Sequence, residues 1–218
     1  MKYLKQTILI LGFLFFCFSQ TNSQTTSVQE KKSSSLKGDK EEIQNLIRQL
    51  LNWSDSKSSI DIDLLPSITN GKDSIYIGFD LDKHKKNLGK LRQTNFFATE
   101  FINNYNNIIL NFDKRLKNGI DEQWLVGQLP PFMFANDGNP WCMCQDVPYD
   151  KPNPWDNVKI KIVNLSNYKG EVVWKWGKLE QNSYSGWKDF SYKVRVIKEN
   201  SKWKVAYLQG FDFKESTK

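Results

Sequence analysis

The chain has 218 residues, 39% of them hydrophobic and 14% aromatic, which fits one mid-sized globular domain with a substantial core and excludes a disordered chain. Three cysteines are too few for a disulfide framework. The formal net charge is +7, yet Lys and Arg are spread along the chain and alternate with acids, so no basic stripe is visible and no nucleic-acid partner is expected.

Residues 1–23 carry the three parts of a secretory signal: basic Met1–Lys5, an apolar run from Thr7 to Phe18, and polar Ser19–Ser23. Thr21 and Ser23 are small enough for cleavage before Gln24, so export to the periplasm or the medium is expected. Removing the leader takes Lys2 and Lys5 and lowers the net charge from +7 to +5. A lipid anchor on Cys17 is disfavoured, because bulky Leu14-Phe15-Phe16 stands where lipoprotein signals need a small residue. The run is too short for a permanent membrane span, and no later segment is apolar enough for one. Residues 24–38 are polar, contain Ser33-Ser34-Ser35 and show no hydrophobic period, which reads as a disordered tether ahead of a single domain over 39–218.

Asp39 and Glu42 have capping-box spacing, and Ile43, Leu46, Ile47, Leu50 and Leu51 then share one helical face. Ser54–Ser59 breaks that helix. Ile60–Leu65 and Asp73–Phe79 are candidate short strands, the second following the turn signal Asn70-Gly71. Asp61, Asp63, Asp80 and Asp82 lack the glycine and the last-position Glu of a calcium loop, and read as caps and loop carboxylates. Leu81–Arg92 is a basic helix carrying His84, the only histidine, which its lysine neighbours mark as exposed. Thr94–Asn118 is the strongest helix, with Phe97, Phe101, Tyr105, Ile108, Phe112 and Leu116 on one face and Gly119 where a C-terminal cap belongs. A long Pro-rich stretch, Ile120–Asp156, follows with three Trp residues and both remaining cysteines; such a connection serves as a binding loop or closes an open end of a sheet.

From Asp156 to Phe213 the period is two. Four antiparallel strands are expected over Val158–Leu165, Gly170–Leu179, Phe190–Ile197 and Trp203–Phe211. Val172/Trp174/Trp176, Tyr192/Val194/Val196 and Trp203/Val205/Tyr207 form one apolar, aromatic face. Lys159/Lys161, Glu171/Lys175 and Lys193/Arg195 fall on the other. The fold class is therefore α+β, with N-terminal helices covering the aromatic face of an antiparallel sheet.

The segment Asn139-Pro140-Trp141-Cys142-Met143-Cys144-Gln145-Asp146-Val147-Pro148 resembles the loop reading Asp-Pro-aromatic-x-Cys-Ala-Gln-Asp-x-Pro in DUF3828-type exported bacterial proteins. The helix start Phe96–Phe101 and the closing Trp203–Val205 and Leu208–Asp212 are similar too, and the resemblance covers about residues 39–213. Asn139 stands where Asp is usual and Cys144 where a small residue is usual. The resemblance implies an NTF2-like or cystatin-like cone, helices on a curved sheet with a pocket between them. It also implies an immunity-type role, since some exported proteins of this general kind neutralise toxins from neighbouring cells; this is an analogy of fold.

Cys142 and Cys144 allow three states: packed free thiols, a disulfide, or part of a metal site. The last is disfavoured because zinc wants four ligands and no second Cys/His pair exists. Asp146 is the candidate base, with Asp212, Tyr192 and Tyr207 as the other residue types that an NTF2-like enzyme pocket would use; a turn or cap explains Asp146 as well. No P-loop, dinucleotide fingerprint, nucleophile elbow or metalloprotease motif occurs, so no cofactor is expected. Three functions follow in order. The first is a non-catalytic exported binding protein that presents Trp141, Trp155 and the loop to a protein partner such as a toxin. The second is a small hydrolase, isomerase or dehydratase built on Asp146. The third is a carrier of an apolar small molecule lined by Trp174, Trp176 and Tyr192. The balance leans against an enzyme.

Overall fold

A computed structural model describes residues 21–218 apart from 57, 58, 60, 72, 73, 137, 149–152 and 182, with side chains from Leu36 onward. Most of the expected signal segment, Cys17 included, lies outside the described residues. The chain divides into two compact units, one reaching to Glu41 and one from Glu42 to Lys218. Helix α1 covers Thr21–Ser54. It begins eighteen residues before the expected start at Asp39, so Gln24–Gly38, read as a tether, is helical and Asp39 lies within the helix rather than at its start; once the amphipathic turns are formed, each further residue adds a hydrogen bond without a new nucleation cost. No helix among the described residues is long and apolar enough to cross a membrane.

The second unit is α+β. A two-stranded sheet, β1 (Ser67–Thr69) with β2 (Tyr76–Phe79), is followed by α2 (Leu81–Gln93) and α3 (Thr99–Lys117). The four-stranded antiparallel meander β3 (Lys159–Leu165), β4 (Lys169–Lys175), β5 (Tyr192–Glu199) and β6 (Lys202–Leu208) then closes the fold. Of the expected strand over Ile60–Leu65, residue 60 lies outside the described residues and 61–65 form no strand: Asp63 accepts a hydrogen bond from Leu65 N at 3.1 Å and the segment turns, so the strand starts at Ser67. Asp80 caps α2 by accepting from Lys83 N at 2.8 Å.

Helix α3 starts five residues later than its pattern suggests. Ala98 N donates to Val205 O and Val205 N to Phe96 O, each at 2.8 Å, which binds this stretch to β6 before the helix can begin. Ala98 offers no side-chain cap. Glu199, at the end of β5, supplies one by accepting from Thr99 N at 3.0 Å. That bond, with Lys204 behind it, holds the Glu199 carboxyl below its ordinary pKa. The helix ends in a Schellman motif: Gly119 at φ +60° donates to Leu116 O at 3.1 Å, and Ile120 N to Arg115 O at 3.0 Å.

The core joins the α1 stripe from Ile43 to Leu51, the α3 stripe and the inner face of the sheet. In β5, Tyr192, Val194 and Val196 are buried while Lys193 and Arg195 are exposed, as period two requires. Strand β6 breaks the expected set. Val205 faces Val196 and Tyr207 faces Arg195, so Ala206 is an extra residue and the strand bulges there. Beyond the bulge the parity inverts: Leu208 points inward and Tyr207, expected on the aromatic face, points outward. His84, expected to be exposed, is buried against α3, its ring edge-on to Tyr105 at 5.1 Å and its Nε2 3.2 Å from Asn106 Oδ1. Burial lowers its pKa.

Candidate functional site

The stretch 120–156 packs over one end of the sheet, and its alternation decides what it buries. In Phe132-Met133-Phe134 the two phenylalanines enter the core, Phe132 stacking on Phe112 at 3.9 Å, and Met133 is thrown outward with 68% of its surface exposed. The same alternation recurs at Cys142-Met143-Cys144. Cys142 is buried, Met143 is 49% exposed at φ +51°, and the two cysteines form a disulfide across it. Of the three open states of this pair, the bonded one is the state found. Asn139 N donates to Cys144 O at 3.0 Å and Asn139 Oδ1 accepts from Trp141 N at 3.0 Å, closing the loop on itself.

Trp141 and Trp155 do not face a partner. They are 4% and 3% exposed. Trp141 lies against Phe211 at 4.5 Å and Trp53 at 5.3 Å, between the loop, α1 and the C-terminal segment. Trp155, held by a short 3-10 turn over Pro154–Asn157, packs on Trp176 at 5.5 Å. Large apolar rings at loop positions are drawn into whatever hydrophobic face is open, and here the sheet offers one. Trp174, Trp176 and Tyr192 complete that cluster, with Trp174 5.2 Å from Trp176 and 5.6 Å from Tyr192. None of the three lines the cleft beside the loop or the two smaller hollows on the sheet and α3.

Tyr192 is instead a tie. Its hydroxyl donates to Pro140 O at 2.8 Å and accepts from Gly210 N at 3.1 Å. Burial raises its pKa, which favours the protonated form that the first bond needs. The Pro140 and Gly210 backbones come so close that a Cβ on Gly210 would sit 2.0 Å from Pro140 O, which glycine alone permits.

Pro140 and Gly210, which this tie joins, line an open cleft of about 1130 Å³ between the loop and the end of β6 with the C-terminal turn. Met133 and Met143 stand on one rim; Lys193, Tyr207, Asp212 and Glu215 stand on the other. Tyr207 Oη donates to Asp212 Oδ2 at 3.0 Å, and Asp212 Oδ1 caps the short helix α4 (Phe213–Ser216) by accepting from Glu215 N at 3.0 Å. Burial, reinforced by that carboxylate, pushes the Tyr207 phenol up to about 12. Each Asp212 oxygen thus accepts one hydrogen bond, and the phenol stays a donor. The Arg195 guanidinium lies 5.9 Å over the Tyr207 ring and pairs with Glu100.

Asp146 is exposed and does not line the cleft. The structure therefore brings together Tyr207, Asp212 and, through its hydroxyl tie, Tyr192, but not Asp146. Met133, Met143 and Lys193 were missed as site residues; the period-two pattern around each methionine was the available signal. Among the described residues no three His, Cys, Asp or Glu side chains converge as a metal-ligand group. The chain matches no family model, no curated protein and no solved structure.

Proposed function

We propose that this is a non-catalytic binding protein that seats a segment of a protein partner in the cleft between the 131–143 loop and the C-terminal turn. The observation that carries the reading is the pair of exposed methionines, Met133 and Met143, on the rim of a cleft in which Tyr207 donates to Asp212 and Asp212 caps the last helix. Flexible thioethers beside charged groups suit an adaptable protein interface. Catalysis would need a free base, and Asp146, the candidate from the sequence, sits away from the cleft. A small-molecule carrier would need space among Trp174, Trp176 and Tyr192, where rings are packed at contact distance. An immunity-type role, in which the partner is a toxin and the chain is exported, is the specific form that the resemblance in the 139–148 loop suggests, together with the helix-on-sheet cone.

The test is a photo-crosslinking residue at position 133 or 143, with position 85 on exposed α2 surface as control. A discrete protein adduct from 133 and 143 but not from 85, in the cells that make the protein, supports the reading. Equal labelling at 85, or no adduct from either methionine position, overturns it.

A further inference from the structure

The charge that looked evenly spread along the chain is not evenly placed in the fold. Residues 158–208 hold eleven Lys and Arg against four Asp and Glu, while the rest of the chain holds twenty of each. The entire net charge thus belongs to the sheet and its connections. The pleat then sorts it. Lys159 and Lys161 of β3, Lys169 and Lys175 of β4 and Lys193 of β5 are exposed on the outer face and have no ion pair among the described residues. Lys159 faces Lys175 directly across β3 and β4, and Lys161 and Lys193 flank Val173 in one row across three strands. Like charges placed opposite each other in a sheet oppose folding.

We infer that this outer face is a docking surface for an acidic polypeptide segment, adjoining the cleft, with which its trough shares Lys193 and Tyr207. Charge complementarity calls for an anion, and what lies between the lysines selects its class. A shallow trough of about 530 Å³ crosses the strands, with Val163, Val173, Lys193 and Arg195 in its lining and one acid, Glu171, set opposite Arg195; the other four lysines stand outside it on the same face. Val163 is 57% exposed. Aliphatic side chains spaced between ammonium groups match a chain that alternates carboxylates with apolar residues. Single-stranded nucleic acid asks for stacking aromatics, and the one aromatic ring lining this trough, Tyr207, is covered by Arg195. A bilayer asks for Trp, Phe or Leu anchors that could enter the interface, and the trough lining has none. The lysine rows also have the right scale: successive outward residues of a strand are about 6.7 Å apart, the same repeat as side chains on one face of an extended acidic peptide.

The experiment is a binding titration of the purified protein with poly-L-glutamate, with single-stranded oligouridylate of matched charge and with phosphatidylglycerol vesicles. Each is run at low salt and at about 1 M NaCl, where the Debye length is about 3 Å. The expected result is that polyglutamate binds more tightly than the other two and is released in high salt. Lys159→Gln/Lys161→Gln/Lys169→Gln/Lys175→Gln should weaken it by roughly tenfold or more, since four exposed charge contacts are removed. Lys85→Gln/Lys86→Gln should leave it unchanged. None of the four sheet lysines lines the cleft, so crosslinking at Met133 and Met143 persists in the quadruple variant and the two surfaces are scored separately. Tighter binding of the oligonucleotide or the vesicles, binding that survives high salt, no binding of polyglutamate, or wild-type affinity in the quadruple variant would each overturn the inference.

Discussion

The two faces of the four-stranded sheet are built from the same strands, one residue apart, and do opposite work. The inner face carries Trp174, Trp176, Tyr192 and Val205 in ring-to-ring and aliphatic contact with the helices and the 120–156 loop. The outer face carries five exposed lysines, one pair of them, Lys159 and Lys175, directly opposite each other, with Glu171 facing Arg195. Aromatic content at a site of unknown purpose is therefore poor evidence of ligand binding here: the rings are where the fold is held, and the surfaces open to a partner are the methionine-rimmed cleft and the basic outer face.

That contrast can be tested from the inside first. Trp174→Ala should cost about 3–5 kcal/mol, measured by urea unfolding, because a fully buried indole leaves a cavity that its neighbours cannot fill. A cost below about 1 kcal/mol would mean the inner face has room for a ligand after all. Tyr192→Phe removes both bonds of the hydroxyl tie and leaves Pro140 O and Gly210 N without their partner, for a loss of about 1–3 kcal/mol. The same variant should loosen the loop, seen as faster amide exchange over residues 139–144.

A smaller effect comes from the helical layer behind the inner face. Burial lowers the His84 pKa from its ordinary 6.5. Below pH 6.5 the unfolded chain takes up a proton that the folded chain resists, so this group contributes stability above that pH and loses it as pH falls toward the folded value. His84→Asn should flatten that part of a stability-versus-pH curve; an unchanged slope would assign it to other groups. The smallest expected effect is on the outer face, where Lys175→Glu turns a repulsive cross-strand pair with Lys159 into an attractive one. It should raise stability by about 0.2–1 kcal/mol while weakening polyglutamate binding.

How much of this was legible in the sequence follows the same division. The α+β class, the four consecutive strands and the buried stripes of α1 and α3 rest on period, and period survives into the structure. What local pattern could not give was anything decided by pairing between distant residues. The bulge at Ala206 depends on how β6 registers against β5, and it alone turns Tyr207 from the core to the cleft. The burial of His84 depends on α3 lying over α2, which its run of lysine neighbours conceals. Trp141 and Trp155 read as exposed anchors because they sit in a Pro-rich loop, yet loop residues next to an uncovered aromatic face are drawn into it. Asp146 attracted notice through its motif; the cleft formed elsewhere, around Asp212.

The most direct test of the central claim is native mass spectrometry of the protein recovered from its own cells under non-reducing conditions, alongside a Met133→Asp/Met143→Asp variant. Both methionines are exposed, so the variant should keep the wild-type melting temperature. The account predicts a stoichiometric protein partner on the wild type and none on the variant. A partner retained by the variant, or a wild-type chain carrying a small molecule and no protein, would contradict it.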